Sequence, residues 1–335
     1  MEFPKVAVLV LNFNGKRHLE NCFSSLKSQS YPRYDVYLVD NASSDDSIDY
    51  VRRNLPFVKV IALEKNYGFA EAYNKAIQSV DFEYVALLNN DTSVHYDWLM
   101  ELVKAILHDD RIVACGSKIL FDRDTSKVNH AGGKLTPLGG GFDIGLFEKD
   151  SELYSRMRYV GCVCGAAMLI RTKVFLIIGG FDSDFFAYFE DVDFCWRAWL
   201  YGLKILYVPS SVVYHKFGGT WGSKISPKRM FLGERNRLLT AFKNLNGSNL
   251  AKALATSIFF NAARVISLLR TRRYKSALSI LAGDQWIAQN LGILLRKRRI
   301  VQSRRIVSDE LLMKRDLIAS LLEGFAEFQR LRTVC

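Results

Sequence analysis

The chain has 335 residues, and because 49% are hydrophobic and only 6 are proline, its composition excludes a disordered chain. This length fits one α/β domain with an appendage. The net charge of +12 is concentrated after residue 215, where 23 Lys and Arg stand against 7 Asp and Glu, so we expect an anionic partner there, either membrane lipid or nucleic acid.

The cysteines and the first residues indicate a reducing compartment. Of the six cysteines only Cys162 and Cys164 are close in sequence, and no second pair completes a zinc-type spacing. We therefore expect free thiols in the cytoplasm. The apolar run 6–11 is too short for a signal peptide with its cleavage site, so it predicts a first strand.

Strand-like and helix-like stretches alternate over residues 5–117. The predicted strands are 5–12, 35–40, 57–63, 84–88 and 111–116. This alternation predicts an α/β fold with a mostly parallel central sheet and helices on both faces. The glycine-rich Rossmann and Walker fingerprints are absent after the first strand, so phosphates must be bound in another way.

The fourth strand ends in Asn89-Asn90-Asp91-Thr92. Open α/β sheets bind ligands beyond the carboxyl ends of their strands, so these polar side chains are expected to face a crevice. Asp91 at such a tip can hold a divalent cation that bridges a diphosphate. The alternative is a polar turn after a core strand.

Two other strand ends carry candidate residues. Asp40 follows the second strand, where it can accept hydrogen bonds from a base or ribose or can instead cap the next helix. His215 ends a late strand that begins near residue 202, where it is either structural or completes a cation site with Asp91. The intervening stretch 118–160 is glycine-rich, which predicts an irregular insertion, either a mobile substrate loop or a solvated excursion.

Carboxylates and aromatic residues are densely mixed over residues 185–200. Glu190 and Asp191 are expected at the N-terminus of a helix, because the apolar residues that follow have helical spacing. Aromatic walls desolvate a carboxyl group and raise its pKa, which makes a competent general base. Carboxylates that merely complement the helix dipole are the alternative.

Together these stretches resemble the inverting family 2 glycosyltransferases with the GT-A fold, particularly the rhamnosyltransferase-like branch. The resemblance covers about residues 5–245. The motifs are Val-Leu-Asn-Phe-Asn-Gly (10–15), Val-Asp-Asn-Ala-Ser-Ser-Asp (39–45), Asn-Tyr-Gly-Phe-Ala (66–70), Leu-Leu-Asn-Asn-Asp-Thr (87–92), Gly-Gly-Phe-Asp (179–182), Phe-Glu-Asp-Val-Asp-Phe-Cys-Trp-Arg (189–197) and Tyr-His (214–215). Each motif is weak alone, but their order and spacing are specific.

The resemblance implies roles for individual residues. Asp40 would contact the nucleotide base, and Asp191 would be the catalytic base. Asp91 would bind the metal and diphosphate, with His215 as a further metal ligand. Nucleotide-sugar contacts are implied at Asn12, Asn14, Asn66, Gly68, Asn74, Asn89 and Asn90. Acceptor-side or supporting positions are Glu190, Arg197 and Gly165. Asn89 replaces a carboxylate of the family's metal motif, which implies weak metal affinity or a cation that arrives with the sugar nucleotide.

The implied reaction moves a sugar from a dTDP- or UDP-linked donor to a hydroxyl of a glycan, polysaccharide or lipid-linked acceptor, with Mg²⁺ or Mn²⁺ as cofactor. A non-catalytic sugar-nucleotide-binding module is one alternative. A nucleic-acid-binding protein that uses the basic segment is another, but no reader motif supports it and we expect no nucleic acid partner.

Residues 1–245 are predicted to be the catalytic domain and residues 246–335 a helical, basic extension. The apolar stretches 250–269 and 277–295 contain Asn261, Arg264 and Asp284, so neither is expected to span a membrane. Their basic flanks at 270–273 and 296–299 predict helices lying on an anionic membrane, peripheral to its inner face. A solvated appendage or an oligomer interface is the alternative.

Overall fold

Four almost entirely apolar strands form the parallel half of the central sheet. In the computed structural model, which describes residues 3–216 and 226–334, they are β1 (Val6–Asn12), β2 (Tyr34–Asp40), β3 (Val58–Ala62) and β4 (Tyr84–Asn89). They lie in the order β3, β2, β1, β4, and every neighbouring pair is parallel. Alternate residues of β1 belong to separate apolar clusters, with Val8 in one and Leu9 in the other, because both faces of the sheet are covered.

Six helices connect or flank these strands. They are α1 (Lys16–Lys27), α2 (Ser47–Asn54), α3 (Ala70–Gln78), α4 (Trp98–Ile106), α5 (Thr172–Ile178) and α6 (Glu190–Leu200). Each of the first four buries one apolar stripe, as in α1, where Leu19, Phe23 and Leu26 are fully buried.

The other half of the sheet is mixed. It contains β5 (Thr92–Val94), β6 (Ile112–Phe121), β7 (Asp124–His130), β10 (Arg158–Tyr159), β11 (Ala167–Arg171) and β12 (Lys204–His215). Strand β11 lies antiparallel between β4 and β6, and β6 pairs with β12 in parallel. The predicted α/β fold with a mostly parallel central sheet is therefore confirmed, with an antiparallel strand inserted near its middle.

The prediction of an irregular insertion over 118–160 is wrong. Besides the end of β6, this stretch contains β7, β10 and a hairpin of β8 (Gly133–Leu135) and β9 (Gly141–Asp143). Its strands are short and separated by turns in which Gly132 and Gly139 have φ of 83° and 95°. Glycine adopts this conformation readily, so the residues that suggested irregular structure instead make tight turns.

The C-terminal third is helical, as predicted. Its helices are α7 (Pro227–Asn244), α8 (Gly247–Arg270), α9 (Tyr274–Gln289), α10 (Leu291–Ser303), α11 (Asp309–Lys314) and α12 (Leu321–Val334). Leu250, Ile287 and Leu294 belong to the same apolar cluster as the sheet. The division at residue 245 stays a prediction. Of the described helices, α8 alone is long and apolar enough, by length and composition, to cross a membrane, and 17% of its apolar window is buried. That it does not span one stays a prediction.

The chain after α11 returns to the β8–β9 hairpin. The amide of Leu135 donates to the carbonyl of Leu317, and the amide of Ala319 donates to the carbonyl of Leu135. Lys134 lies 2.7 Å from both Asp316 and Glu323. The hairpin is therefore held from outside by the C-terminal segment.

Candidate active site

A cavity of about 400 Å³ lies where β1, β2 and β4 end. Its walls come from the strand ends, from the β8–β9 hairpin and from the start of α6. Among the predicted site residues, those that line it are Asn66, Gly68, Asn89, Asn90, Gly165, Glu190, Asp191 and His215. The structure therefore brings together residues that are far apart in sequence.

A chain of buried side chains joins the three strand ends. Asn90 Nδ2 donates to Asn12 Oδ1 over 2.6 Å, and Asn12 Nδ2 donates to Asp40 Oδ2 over 3.0 Å. The other Asp40 oxygen accepts from the backbone amide of Ser43 over 2.8 Å. Asp40 is fully buried and does not line the cavity. Its contact with a base stays a prediction. The alternative, that Asp40 caps the next helix, is wrong, because the N-cap of α2 is Asp46 and Asp40 instead bonds the loop after β2.

Asn41, which the sequence analysis did not select, reaches the cavity at this point. Its amide nitrogen donates to Asn66 Oδ1 and to the carbonyl of Gly68, over 3.1 and 2.8 Å. Gly68 has φ of 77°, and a Cβ there would lie 2.3 Å from the carbonyl oxygen of Phe186. Asn41 directly follows Asp40 in the motif 39–45, and this position was the available signal that Asn41 lies near the site.

Six predicted residues do not line the cavity, namely Asn12, Asp40, Asp91, Asn14, Asn74 and Arg197, and the last three support it from outside. Asn14 Oδ1 accepts from the amide of Ser44 over 2.7 Å. Asn74 exchanges two hydrogen bonds with the backbone of Phe181. Arg197 is buried and donates to Asp193 and to two backbone carbonyls, which fits a supporting role and not a direct acceptor contact.

The candidate cation ligands Asp91 and His215 are adjacent. Strand β12 pairs with β5 so that His215 opposes Thr92, the residue after Asp91. As a result His215 Nε2 lies 3.3 Å from Asp91 Oδ1. His215 Nδ1 lies 2.9 Å from Asn129 Oδ1, an amide oxygen that can only accept, so Nδ1 donates to Asn129 and the ring is held with Nε2 toward Asp91.

This pair suits a divalent cation. Burial raises the pKa of Asp91, but the hydrogen bond and charge of His215 outweigh it and leave that pKa below its ordinary value, so the carboxylate is ionised. A carboxylate oxygen and an imidazole nitrogen are ligands for Mn²⁺ or Mg²⁺. Within residues 3–216 and 226–334 no third His, Cys, Asp or Glu joins them, so a cation here would take its remaining ligands from water and phosphate.

The candidate base Asp191 is fixed by two backbone amides. Its Oδ2 accepts from Gly165 and its Oδ1 from Val192, each over 2.8 Å. Burial raises the pKa of Asp191 although these two hydrogen bonds lower it. Glu190 beside it is 4% exposed, and its pKa is raised well above the ordinary value by burial and by Asp191. One buried Glu190 oxygen has no protein partner.

The residues before α6 have a strained backbone. Phe186, Tyr188 and Phe189 have φ of 61°, 73° and 68°, which is unfavourable for aromatic side chains. Asn236 from α7 donates to the carbonyls of Ala187 and Tyr188 over 2.8 and 2.7 Å. Asn236 was not among the predicted site residues, because its position after a charged pair in a helix gives no signal for this contact.

Comparison with known proteins identifies the family. The model described as "Glycosyl transferase family 2" matches residues 7–176, which is half of the chain. The poly-beta-1,6-N-acetyl-D-glucosamine synthase of Staphylococcus aureus (strain COL) is 22% identical over 231 residues, covering 67% of this chain and 54% of that protein. The chain therefore spans about half the length of this curated relative.

Solved structures confirm the fold. The mannosyltransferase PcManGT from Pyrobaculum calidifontis, in complex with GDP-Man and Mn²⁺, has a TM-score of 0.54 at 17% identity and covers 90% of this chain and 84% of its own. TarS 1–349 of S. aureus, in complex with UDP, has a TM-score of 0.52 at 19% identity, with coverages of 90% and 83%. At these identities the likeness concerns the fold.

Proposed function

The chain belongs to glycosyl transferase family 2, and we propose that it transfers a sugar, with inversion, from a nucleoside diphosphate sugar to an acceptor hydroxyl. The observation that carries this proposal is the position of Asp191 in the same cavity as His215, which is paired with Asp91. A base and a cation site in one cavity are what a displacement of a diphosphate requires.

The proposed reaction is a single in-line displacement. The acceptor oxygen attacks the anomeric carbon and forms the new glycosidic bond while the bond to the diphosphate oxygen breaks. Asp191 takes the hydroxyl proton, and the leaving diphosphate keeps the bonding electron pair. The Gly165 and Val192 amides hold the Asp191 carboxylate in place during this step.

Asp91 and His215 would hold Mg²⁺ or Mn²⁺. A bound cation supplies charge stabilisation for the departing diphosphate. Asn129 orients His215 for this purpose through its hydrogen bond to Nδ1. That Mn²⁺ is present in the complex of PcManGT supports the use of a divalent cation.

The donor is proposed to be UDP- or dTDP-linked and the acceptor a polysaccharide or glycolipid precursor. The resemblance to poly-beta-1,6-N-acetyl-D-glucosamine synthases supports this class of acceptor. The test is a panel of UDP-, dTDP- and GDP-sugars with Mn²⁺ or Mg²⁺, in which binding and slow hydrolysis are measured. We expect one donor to be hydrolysed by the unaltered protein and not by Asp91→Ala. Absence of binding to every donor would contradict the proposal.

We also propose that the chain is cytoplasmic and binds the inner face of the membrane through the tip of the α8–α9 pair. Arg270, Arg272, Arg273 and Lys275 at this tip are all exposed. Leu269, Tyr274 and Leu278 at or near this tip are 45%, 56% and 64% exposed. Basic groups beside exposed apolar ones suit an anionic bilayer surface.

We expect the second basic run, 296–299, to contribute less to membrane binding than the run at 270–273. Lys297 pairs with Asp184 over 2.6 Å, and Arg298 donates to the carbonyls of Phe242 and Leu245, so both point into the protein. The membrane proposal is tested by flotation with phosphatidylglycerol vesicles. We expect Arg272→Glu/Arg273→Glu to lose binding and the matched exposed pair Arg52→Glu/Arg53→Glu to retain it. Equal binding by both variants would contradict the proposal.

A further inference from the structure

A second polar pair lines the cavity beside Asp191. His130, at the end of β7, has its Nδ1 2.7 Å from Oδ1 of Asp143, at the end of β9. His130 is 3% exposed, whereas the Asp143 side chain is 44% exposed. Both residues lie in the stretch 118–160, and the proposed displacement does not use them. The Asp143 carboxylate therefore faces the cavity, and the buried His130 ring holds it there.

The same short loop fixes this pair and the proposed base. The amide of Cys164 donates to His130 Nε2 over 3.2 Å, and the next amide, that of Gly165, donates to Asp191 Oδ2. His130 Nε2 is therefore an acceptor, which puts the ring proton on Nδ1, facing Asp143. Because both ring nitrogens are occupied, His130 is a positioning residue and not a second base.

The side chains around Asp143 indicate the chemistry of its ligand. Asp143, Asp191 and Glu190 supply carboxyl groups to this side of the cavity, and Phe142 and Phe189 supply aromatic surface. No Lys or Arg belongs to the cavity lining within the described part of the chain. A carboxylate accepts hydrogen bonds from hydroxyl groups and repels anions, so the wall that carries Asp143, on the hairpin and not at the strand ends proposed to hold the diphosphate, favours a hydroxylated, uncharged ligand.

We propose that Asp143, oriented by His130, binds a hydroxyl group of the acceptor sugar, and that this sugar is uncharged. The inference rests on the proposed function, because it takes Asp191 as the base that faces the reacting hydroxyl. Asp143 and Asp191 would then hold two different hydroxyls of one ring. The β8–β9 hairpin, which carries Asp143, becomes the acceptor wall of the cavity.

The test compares p-nitrophenyl β-glucoside with p-nitrophenyl β-glucuronide, in which a carboxylate replaces the C6 hydroxymethyl group of the same ring. Donor hydrolysis without acceptor is measured first, then transfer to each glycoside, and binding in the presence of UDP by saturation-transfer NMR. We expect Asp143→Asn still to hydrolyse the donor and to raise the KM for the glucoside roughly tenfold, as for a lost hydrogen bond to a charged group. The variant should also discriminate less against the glucuronide, because a repelling charge is gone.

Variants of His130 separate positioning from simple structural support. His130→Asn retains an N–H group near the place of Nδ1 and should keep a near-normal acceptor KM, whereas His130→Ala should raise it as Asp143→Asn does. Asp124→Asn, on β7 but outside the cavity, is the matched control and should change nothing.

The outcomes distinguish this inference from the proposed function. A protein that neither binds nor hydrolyses any donor overturns both. A protein that hydrolyses a donor but neither binds nor glycosylates the neutral glycoside overturns the inference alone. The same holds if Asp143→Asn leaves the acceptor KM and the discrimination between the two glycosides unchanged.

Discussion

The side-chain amide of Asn236 donates a 2.7 Å hydrogen bond to the carbonyl oxygen of Tyr188, two residues before Glu190. The same amide also bonds the carbonyls of Phe185 and Ala187. A helix of the C-terminal third thus holds the strained backbone that leads into the candidate base. The geometry of Asp191 depends on a residue with no direct contact to the cavity.

Asn236→Ala is expected to lower kcat more than it weakens nucleotide binding. The substitution leaves buried carbonyl groups without a donor, which costs about 1–3 kcal/mol and allows the strained segment to relax. Calorimetric titration with UDP and steady-state kinetics together check this. Asn54→Ala, which removes a single exposed hydrogen bond, is the control. Equal effects of Asn236→Ala on binding and kcat would contradict it.

Asp191→Asn is expected to retain donor binding and to lose most turnover. General-base assistance contributes about 10²–10⁴-fold, so the loss should fall in that range. Donor affinity and single-turnover transfer are the measurements. Glu190→Gln is the comparison variant and should lower turnover less. The raised pKa of Glu190 favours its protonated form, which cannot accept the hydroxyl proton. Near-normal transfer by Asp191→Asn would show that the base is elsewhere.

The rate should depend on pH through Asp191. Burial raises the pKa of Asp191 above its ordinary value of 3.8, and only its deprotonated form accepts a proton. The rate is therefore expected to rise with pH and to level off, with the midpoint of the rise above 3.8. A pH profile of kcat/KM checks this. The rise with pH should be absent from the residual activity of Asp191→Asn. A midpoint at or below the ordinary value would contradict the assignment.

Asp91→Ala is expected to weaken Mn²⁺ binding in the presence of UDP, measured by electron paramagnetic resonance of the free ion. Asn129→Ala should weaken it by about 10–100-fold, because it frees His215 to change orientation. Asp49→Ala, on the surface of α2, is the control and should bind the ion normally. Unchanged Mn²⁺ affinity in Asp91→Ala would rule out this cation site.

Lys243→Met is expected to destabilise the fold strongly. Lys243 is 4% exposed and lies 2.6 Å from Asp182 and 2.9 Å from Asp193, so its loss leaves Asp182 with Lys297 and Asp193 with Arg197 as the remaining cations. Leaving a buried carboxylate entirely unpaired costs about 3–5 kcal/mol, so we expect a loss of about 2–3 kcal/mol here. Urea unfolding measures the loss, and Lys59→Met, at an exposed pair with Asp35, should change the free energy of unfolding by less than about 1 kcal/mol.

The same network should make stability depend on acid pH. Burial raises the pKa of Asp193, but Lys243 and Arg197 outweigh it, and the net pKa is lowered. A lowered pKa in the folded state adds stability above the unfolded-state pKa, and that stability is lost as pH falls through the folded-state value. The unfolding free energy should therefore fall on acidification, and less so in Lys243→Met. An equal pH dependence in both proteins would contradict this.

Residues that follow apolar strands could be placed from sequence, because burial on both faces leaves a clear pattern. Runs such as 84–88 predicted their strands, and the polar residues after them predicted the cavity edge that includes Asn90. The pairing of His215 with Asp91 was also anticipated, since both end strands of one sheet. The helical C-terminal third followed from its apolar spacing.

What could not be predicted depends on contacts between distant segments. The burial of Asp40 follows from its bond to Asn12 across two strands, which no local pattern encodes. Strands β8 and β9 have three residues each, and β7 is mostly polar, so they lack a periodic apolar signal. His130 meets Asp143 only because the chain folds back between the end of β7 and the end of β9. Asn236 donates to the carbonyl of Tyr188, which lies 48 residues earlier in the chain.

The ion pair between Lys134 and Asp316 joins residues 182 positions apart. The strand ends that would bind the donor belong to the first part of the chain. The hairpin with Asp143 is instead bonded to residues 316–319, which are synthesised much later. Loop closure over such a distance is slow, so on a growing or refolding chain the donor half should mature first. A newly made molecule would thus pass through a stage in which it hydrolyses its donor without yet selecting an acceptor.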